Sequence, residues 1–351
     1  MRLLALETSC DETSAAVIED GCVLSNVVSS QIAVHAEYGG VVPELAAREH
    51  LRQLGRVIAE ALARANCSAH SMNAMAVTRG PGLPSALSSG VRVALSAGLC
   101  LGVPVLGIHH HEAHLYSAWM GGEPSRSNLD AFRPHVSLIV SGGHTLLARC
   151  GGLFEHRILG GTLDDAAGEC FDKVAKMMGL GYPGGPQIEA MARGGNSRAF
   201  DFPRPKRDDA DDDFSFSGLK TAVKYFLRDR KGILDSSEGR ADTCASVQEA
   251  IVEVLAVKLL RAAKRERVGL VTASGGVVCN GRLRETLMDQ ARESGIECRL
   301  AEKRYCTDNA AMVGILAMEK MKRGIGEFLS WEAEAAPGMA LELEGRGLSA
   351  A

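Results

Sequence analysis

Residues 3–18 contain two apolar runs, Leu3-Leu-Ala-Leu6 and Ser14-Ala-Ala-Val-Ile18, separated by the polar stretch Glu7-Thr-Ser-Cys-Asp-Glu-Thr13. This pattern predicts a strand, a polar turn and a second strand. The same design recurs later in the chain as Val136-Ser-Leu-Ile-Val140, Ser141-Gly-Gly-His-Thr145 and Leu146-Leu-Ala-Arg-Cys150. The recurrence favours an internal duplication, although two short hairpins can also match by accident.

Helix and strand patterns alternate between and after the two hairpins. Pro84–Leu101 predicts a helix, because proline suits a first turn and apolar residues recur on one face. Residues 103–108 predict a buried strand. Ser246-Val-Gln-Glu249 matches a capping box and predicts that a helix begins there. The final patterns follow the order strand, glycine turn, helix, strand, which is typical of an α/β unit: residues 268–273, 274–276, 281–294 and 296–300.

Composition sets limits on the kind of protein. The chain has 351 residues, 46% hydrophobic and 23% charged, which is globular and predicts about two domains. Residues 121–134 are turn-rich and form the best boundary between them. The formal net charge of −4 argues against binding nucleic acid through overall positive charge, so such a partner would need a local patch.

Cysteine spacing and hydropathy indicate the compartment. No two of the ten cysteines have C-x-x-C spacing, which argues against a thiolate zinc site or a redox pair and favours a reducing, cytoplasm-like compartment. The first residues do not form a signal peptide, because Glu7 follows only four apolar residues. Residues 93–108, the longest uncharged apolar stretch, are too short and too interrupted to span a bilayer. We therefore expect a soluble protein.

Four of the ten histidines lie within residues 109–114. On a helix, His110 and His114 would share one face, and two imidazoles at that spacing can bind Zn²⁺ or Fe²⁺. Surface histidines at a strand–helix junction are the alternative. The H-E-x-x-H motif of zinc proteases is absent. Asp308 is a candidate third ligand, since it lies in a polar turn before an apolar helical stretch; alternatively, it caps that helix.

Glycine pairs and acidic residues form two further groups. Glycine next to a strand end exposes backbone N–H groups that can hold phosphate, although no P-loop and no G-x-G-x-x-G motif is present. The glycine turns lie at residues 80–82, 141–143, 160–161, 183–185 and 274–276. Carboxylates beside such turns orient hydroxyls, bind metal or act as bases, unless they are only exposed turn acids. The acids are Glu7, Asp11, Glu12, Asp164, Asp165, Glu169 and Asp172.

Together these segments resemble the tRNA N6-adenosine threonylcarbamoyltransferase family, formerly called O-sialoglycoprotein endopeptidases. The resemblance runs in family order from residue 7 to about residue 314, and its opening motif is similar to the bacterial and organellar branch. The matching segments are residues 7–13, 39–50, 80–83, 110–114, 140–145, 164–169, 171–173, 181–186, 214–220, 274–277, Asn280 and 306–311. Pro84-Ser85 departs from the family pattern, which has glycine near position 85.

The resemblance implies an α/β fold of the actin-like, sugar-kinase-like kind, with two duplicated ribonuclease-H-like lobes and a cleft between them. The implied lobes are residues 1–132, completed by part of 310–351, and residues 133–309; the tail, 325–351, has no pattern that predicts its structure. By position, His110, His114 and Asp308 match the metal ligands, and Asp11 and Glu12 lie in the acidic turn of the reaction centre. The implied nucleotide and substrate contacts are Ile139, Val140, Ser141, Gly142, Gly143, Asp172, Gly185 and Asn280.

The implied reaction transfers the threonylcarbamoyl group of threonylcarbamoyl-AMP to N6 of the adenosine 3′ of the anticodon, in tRNAs that read codons beginning with A. One divalent metal per subunit is implied, with Fe²⁺ ranked before Zn²⁺. The implied partners are tRNA and either a paralogous actin-like subunit with a small P-loop ATPase or a second copy of the chain, in the cytoplasm and without a membrane. A metalloprotease and an actin-like ATPase or sugar-kinase scaffold are the alternatives.

Overall fold

The computed structural model describes residues 1–341, which form two compact units. Unit 1 comprises Met1–Phe132, Leu153–His156 and the chain from Thr307 onward; unit 2 comprises Arg133–Gly152 and Arg157–Cys306. The second lobe expected from the sequence ran to residue 309, whereas Asp308 here belongs to unit 1. Residues 325–341 of the predicted tail are described, and residues 342–351 lie outside the described residues.

Strands and helices alternate along the described chain. Its strands are β1 (Arg2–Glu7), β2 (Glu12–Glu19), β3 (Cys22–Ser30), β4 (Ala74–Gly80), β5 (Val105–His109), β6 (Met120–Gly121), β7 (Arg126–Ser127), β8 (His135–Val140), β9 (Thr145–Gly152), β10 (Glu155–Gly161), β11 (Leu270–Ser274), β12 (Glu297–Leu300) and β13 (Glu327–Phe328). Its α-helices are α1 (Ile32–His35), α2 (Pro43–Arg64), α3 (Pro84–Leu101), α4 (His110–Ser117), α5 (Ala167–Met177), α6 (Gly184–Ala192), α7 (Ser217–Asp229), α8 (Ser237–Arg265), α9 (Gly281–Glu293) and α10 (Ala310–Lys322).

Two sheets repeat one topology. The first has the order β13-β5-β4-β1-β2-β3-β7-β6, and the second has the order β10-β9-β8-β11-β12. In the first, β1 pairs antiparallel with β2 and parallel with β4. In the second, β8 pairs antiparallel with β9 and parallel with β11. The central strands of the first sheet therefore have the same order and directions as the second sheet, which confirms the predicted duplication.

The core of unit 1 needs a helix from the far end of the chain. Helix α10 packs on β1 and β2, and its residues from Ala310 to Glu319 are buried. A Cβ atom at Gly314 would lie 2.5 Å from Cγ1 of Ile18, so the helix approaches the sheet as closely as only glycine permits. Residues distant in sequence thus complete a single packed layer.

Most elements agree with their predictions. Helix α3 has the predicted bounds, and β11, α9 and β12 follow in the predicted order. The predicted helix start at Ser246 is wrong. Helix α8 begins nine residues earlier at Ser237, because Ser236 caps it by accepting from the backbone N–H of Gly239. Ser246 is buried inside the helix, where its hydroxyl donates to the carbonyl oxygen of Asn196 at 3.3 Å. Among the described residues, no helix has the length and apolarity needed to cross a bilayer.

Candidate metal centre and active site

Helix α4 begins where β5 ends and presents the two predicted histidine ligands. His109 caps this helix, since its Nδ1 accepts from the backbone N–H of Glu112 at 3.3 Å. His110 and His114 lie one turn apart, with ring centroids separated by 4.7 Å in an edge-on arrangement. Both rings are buried. The helical spacing predicted from the sequence is confirmed, and the alternative of surface histidines is wrong.

Asp308 approaches both histidines. Its Oδ1 lies 3.0 Å from Nε2 of His114 and 3.5 Å from Nε2 of His110. The cap of α10 is the next residue, Asn309, whose Oδ1 accepts from the backbone N–H of Met312 at 3.1 Å. The interpretation of Asp308 as a helix cap is therefore wrong, and its carboxylate is directed to the histidine pair.

These three side chains fit a divalent metal ion. One ligand atom from each lies within 4.8 Å of the others. A metal with ligand bonds of about 2.1 Å holds tetrahedral ligand atoms roughly 3.4 Å apart. The two measured His–Asp separations of 3.0 and 3.5 Å agree with that spacing. Two imidazoles and one carboxylate suit Zn²⁺ or Fe²⁺ and leave coordination positions for a substrate.

Glu7 orients the first ligand from behind. Nδ1 of His110 lies 3.2 Å from Oε2 of Glu7 and 3.1 Å from Oγ of Ser9. Nδ1 is thereby engaged on the protein side, which leaves Nε2 for a metal. Although burial opposes its charged form, Asp308 and Glu7 raise the pKa of His110 to about 9. The two carboxylates therefore create a potential that favours a cation here.

Helix α4 is tied to α10 by a buried ion pair. Oε2 of Glu112 accepts from Nζ of Lys320 at 2.5 Å, and Oε1 lies 3.4 Å from Nε2 of His156. Burial opposes ionisation of Glu112, but Lys320 and His156 lower its pKa to about 2. Because breaking a buried pair is strongly destabilising, this contact fixes the spacing of the two helices beside the ligands.

Asp11 and Glu12 form an acid pair in the turn after β1. Both side chains are half-buried, and Oε1 of Glu12 accepts from Oγ of Ser30 at 3.4 Å. Burial first, and then the charges of Asp11 and Asp308, raise the pKa of Glu12 well above its usual range. Glu12 also hydrogen-bonds to Asp11, so the pair shares one proton that Glu12 carries. The influence of Asp308 places this pair within electrostatic reach of the metal ligands.

In unit 2, two glycine turns leave adjacent strands at the same sheet edge. Strands β8 and β11 run parallel, with Ser274 beside Ile139, so residues 141–143 and 275–276 both follow carboxyl ends. Gly275 has φ +97°, and a Cβ there would lie 2.3 Å from the carbonyl oxygen of Val140, which requires glycine. A Cβ at Gly142 or Gly143 would meet nothing within 4 Å. Open glycine turns at this edge are typical of nucleotide sites.

The other predicted contacts in unit 2 have defined structural neighbours. Ile139 and Val140 are fully buried within β8, so they position the turn that follows them. Oδ1 of Asp172 accepts from the backbone N–H of Gly184 at 2.6 Å and holds the start of α6, beside which Gly185 faces open space. Asn280 caps α9 through the N–H of Leu283 and donates to Gln248 at 2.8 Å.

The family model for "tRNA N6-adenosine threonylcarbamoyltransferase" matches residues 22–315. The chain belongs to this family. A relative of that name from Syntrophotalea carbinolica is 47% identical over 316 residues, covering 90% of each chain. One from Salinibacter ruber is 46% identical over 329 residues, covering 92% of this chain and 96% of the relative. The family is one of transferases, and its members depend on a metal.

Solved structures agree with this family's fold. Full-length HypF in its phosphate- and nucleotide-bound form has a TM-score of 0.58 at 13% identity, covering 92% of this chain and 56% of HypF. The activator of 2-hydroxyisocaproyl-CoA dehydratase from Clostridium difficile, with bound ADPNP, has a TM-score of 0.53 at 12% identity, covering 92% and 96%. The predicted actin-like, sugar-kinase-like α/β fold is confirmed.

Some acids in the motifs of this threonylcarbamoyltransferase family member support the fold. Asp164 accepts from the hydroxyls of Ser215 and Ser217 at 2.6 and 2.7 Å, at the start of α7. Asp165 pairs with Lys173 at 2.7 Å and Lys220 at 2.8 Å. These contacts join two motifs that lie far apart in sequence, so their residues hold α5 and α7 in place.

Sequence reasoning missed the partners of Glu7. Thr78 donates its hydroxyl to Oε2 of Glu7, and the N–H of Ser9 donates to Oε1 at 2.5 Å. The parallel pairing of Leu6 with Val77 brings these residues together. A prediction that β1 and β4 are neighbours would have found Thr78, because carboxyl ends of parallel strands meet at one edge.

We expect Glu7→Gln to weaken metal binding by this family member about 10- to 100-fold, because residues that orient a ligand have effects of that size. Glutamine keeps the shape of Glu7 but loses the charge that holds Nδ1 of His110. Titration with Co²⁺ or Zn²⁺ against a chromogenic chelator measures the change. Glu44→Gln, at an exposed position of α2, is the matched control. Equal affinities in the two variants would contradict an orienting role for Glu7.

Proposed function

We propose that this protein transfers the threonylcarbamoyl group of threonylcarbamoyl-AMP to N6 of the adenosine immediately 3′ of the anticodon, in tRNAs reading codons that begin with A. The observation that carries this proposal is the cluster of His110, His114 and Asp308 within reach of the Asp11–Glu12 pair. The cluster lies in a chain nearly half identical to transferases of that name over nine tenths of its length. Both the metal chemistry and the acids that acyl transfer requires are thus present together.

His110, His114 and Asp308 would hold one divalent metal, with Fe²⁺ ranked before Zn²⁺. A metal bound there would supply Lewis acidity, which stabilises negative charge on a carbonyl or phosphoryl oxygen. Glu7 keeps Nδ1 of His110 engaged, so that Nε2 points to the ion. Glu112 and Lys320 hold the two helices that carry the ligands.

The turns of unit 2 would bind the adenylate part of the donor. Ser141, Gly142 and Gly143 would offer backbone N–H groups to the phosphate, since the space outside this turn is open. Gly185 would contribute in the same way at the start of α6, which Asp172 holds in position. Asn280, at the start of α9, would orient the nucleotide with its remaining amide capacity.

The acid pair would handle the proton of the attacking amine. N6 of adenosine forms a bond to the carbonyl carbon of the mixed anhydride, the bond from that carbon to the phosphate oxygen breaks, and AMP leaves. The nitrogen must lose one proton, and Asp11 is positioned to accept it because Glu12 already carries the shared proton. Glu12 then steadies Asp11 by donating a hydrogen bond.

Binding of tRNA would need help beyond the basic clusters in the sequence. In the cluster at residues 204–207, Arg204 pairs with Glu253 at 2.8 Å and Lys206 with Asp209 at 2.9 Å. In the cluster at 320–323, Lys320 pairs with Glu112 and Lys322 with Glu319. Since these charges are offset internally, we favour a partner surface for recruiting tRNA. The partners would be a paralogous actin-like subunit with a small P-loop ATPase, or a second copy of this chain, in the cytoplasm.

The deciding experiment incubates the pure protein with threonylcarbamoyl-AMP and unmodified tRNA, with and without the candidate partners, and measures modified nucleosides by mass spectrometry. We expect threonylcarbamoyladenosine to form only with the active chain. The same preparation, tested for glycoprotein cleavage and for ATP turnover coupled to a sugar, addresses the protease and kinase alternatives. No modified adenosine in any combination would refute the proposed reaction.

A further inference from the structure

Two cysteines far apart in sequence lie side by side in unit 2. Cys279 precedes the cap residue of α9, and Cys306 ends the segment that follows β12. The two thiols are joined by a hydrogen bond. Sγ of Cys306 lies 3.4 Å from the carbonyl oxygen of Ala301, and Sγ of Cys279 lies 3.8 Å from that of Lys303. Their backbone neighbours are therefore parts of one short loop.

One arginine organises this contact. Nη1 of Arg284 donates to the carbonyl oxygens of Ala301 at 3.0 Å and Val278 at 3.2 Å, and lies 4.0 Å from Sγ of Cys306. A single side chain thus holds the backbone next to Cys279 against the backbone near Cys306. The pair is fixed by the fold and does not depend on a chance approach of two flexible side chains.

The two thiols differ in exposure as an attacking and a resolving cysteine should. Cys279 is half-buried, whereas Cys306 has no exposed surface. The hydrogen bond from Cys306, and then the positive charges of Arg284 and Lys303, lower the pKa of Cys279 to about 7 despite burial and the nearby Glu189. Cys279 is accordingly a partly exposed thiolate at neutral pH, which is the form that reacts with oxidants.

We propose that Cys279 and Cys306 form an oxidisable dithiol that reacts with hydrogen peroxide and closes to a disulfide. Sγ of Cys279 attacks one peroxide oxygen, the O–O bond breaks, and a sulfenic acid and one water form. Sγ of Cys306 then attacks the sulfenyl sulfur, the S–O bond breaks, and the second water leaves with the remaining proton. Two thiols lose two electrons in total, and peroxide is reduced to two waters.

Closure would tether the residue before Asn280 to the residue two positions before Asp308. The C-x-x-C search could not reveal this pair, because its members come from two loops that the parallel pairing of β11 and β12 brings to the same sheet edge. A dithiol of low-molecular-weight class, such as dithiothreitol, would restore the thiols by exchange.

The test uses the full chain, treated with hydrogen peroxide and then alkylated. We expect a mass decrease equal to two hydrogen atoms, reversed by dithiothreitol, and a peptide map that links Cys279 to Cys306. In Cys306→Ala the sulfenic acid on Cys279 should persist and be trapped by dimedone, whereas Cys279→Ser should give neither product. Cys298, also half-buried and near Arg284, has its pKa raised to about 11 by burial and is the internal control.

Three results would overturn the proposal. One is a disulfide that joins Cys279 to a cysteine other than Cys306. A second is oxidation or alkylation of Cys298 at the same rate as Cys279. The third is an unchanged mass under peroxide while Cys306→Ala gives no dimedone adduct. None of these measurements involves tRNA or threonylcarbamoyl-AMP, so their outcome is separate from that of the proposed transfer reaction.

Discussion

Replacing Asp308 by alanine is expected to empty the metal centre and to slow threonylcarbamoyl transfer by roughly a thousandfold. The carboxylate lies 3.0 and 3.5 Å from the two imidazole nitrogens and supplies the only anionic ligand of the cluster. Loss of Lewis-acid stabilisation removes several kcal/mol from the transition state, and about 4 kcal/mol corresponds to three powers of ten in rate. Metal content by plasma mass spectrometry and the initial rate of tRNA modification are the two readouts.

The fold should survive this substitution. Asn309, not Asp308, caps α10, so the helix keeps its first-turn hydrogen bond and the melting temperature should change little. Asp130→Ala, at an exposed position of unit 1, is the matched control and should retain both metal and activity. An Asp308→Ala protein that still bound one metal and kept its full rate would remove the metal centre from the mechanism.

Asp11→Asn should lower the turnover number roughly a hundredfold or more while leaving metal content unchanged, since general bases contribute about 10²- to 10⁴-fold. The carboxylate of Asp11 is the acceptor in the acid pair, because burial keeps the shared proton on Glu12. Asparagine preserves the shape of the side chain but accepts no proton. Single-turnover rates at saturating donor and tRNA would isolate this step from binding.

Glu12→Gln tests which acid is the base. Glutamine resembles protonated Glu12 and can still donate to Asp11, so we expect a loss of less than about tenfold, the size of one neutral hydrogen bond. A larger loss in Glu12→Gln than in Asp11→Asn would assign the base to Glu12. Full activity in both variants would exclude the pair from proton transfer.

Local patterns predicted the parts of the fold and site that depend on residues close in sequence. The hairpins at residues 3–18 and 136–150 gave the two sheets their shared topology, and helical spacing placed His110 and His114 on one face. Asp308 could be proposed from its polar turn, but the sequence did not decide between ligand and cap. That choice depended on Asn309, which has the same capping ability and lies one position closer to the helix.

Features that depend on tertiary pairing could not be read from local patterns. Thr78 meets Glu7 because β1 and β4 are parallel neighbours, and no spacing rule links these residues. The same holds for Cys279 and Cys306. The capping-box pattern at Ser246 failed for another reason: a serine inside a long buried helix can satisfy its hydroxyl through a neighbouring loop, and it then does not mark a helix start.

The return of the chain to unit 1 at Thr307 sets an order of events during synthesis. A ribosome produces β1–β5, His110 and His114 early, but the helix that covers Ile18 and the carboxylate that completes the ligand set come only after unit 2 has been made. Until then, one face of the first sheet lacks its helix and must be shielded from aggregation. Metal loading is therefore a late step in the life of the nascent chain, and a fragment ending at Phe132 is not an independent metal-binding module.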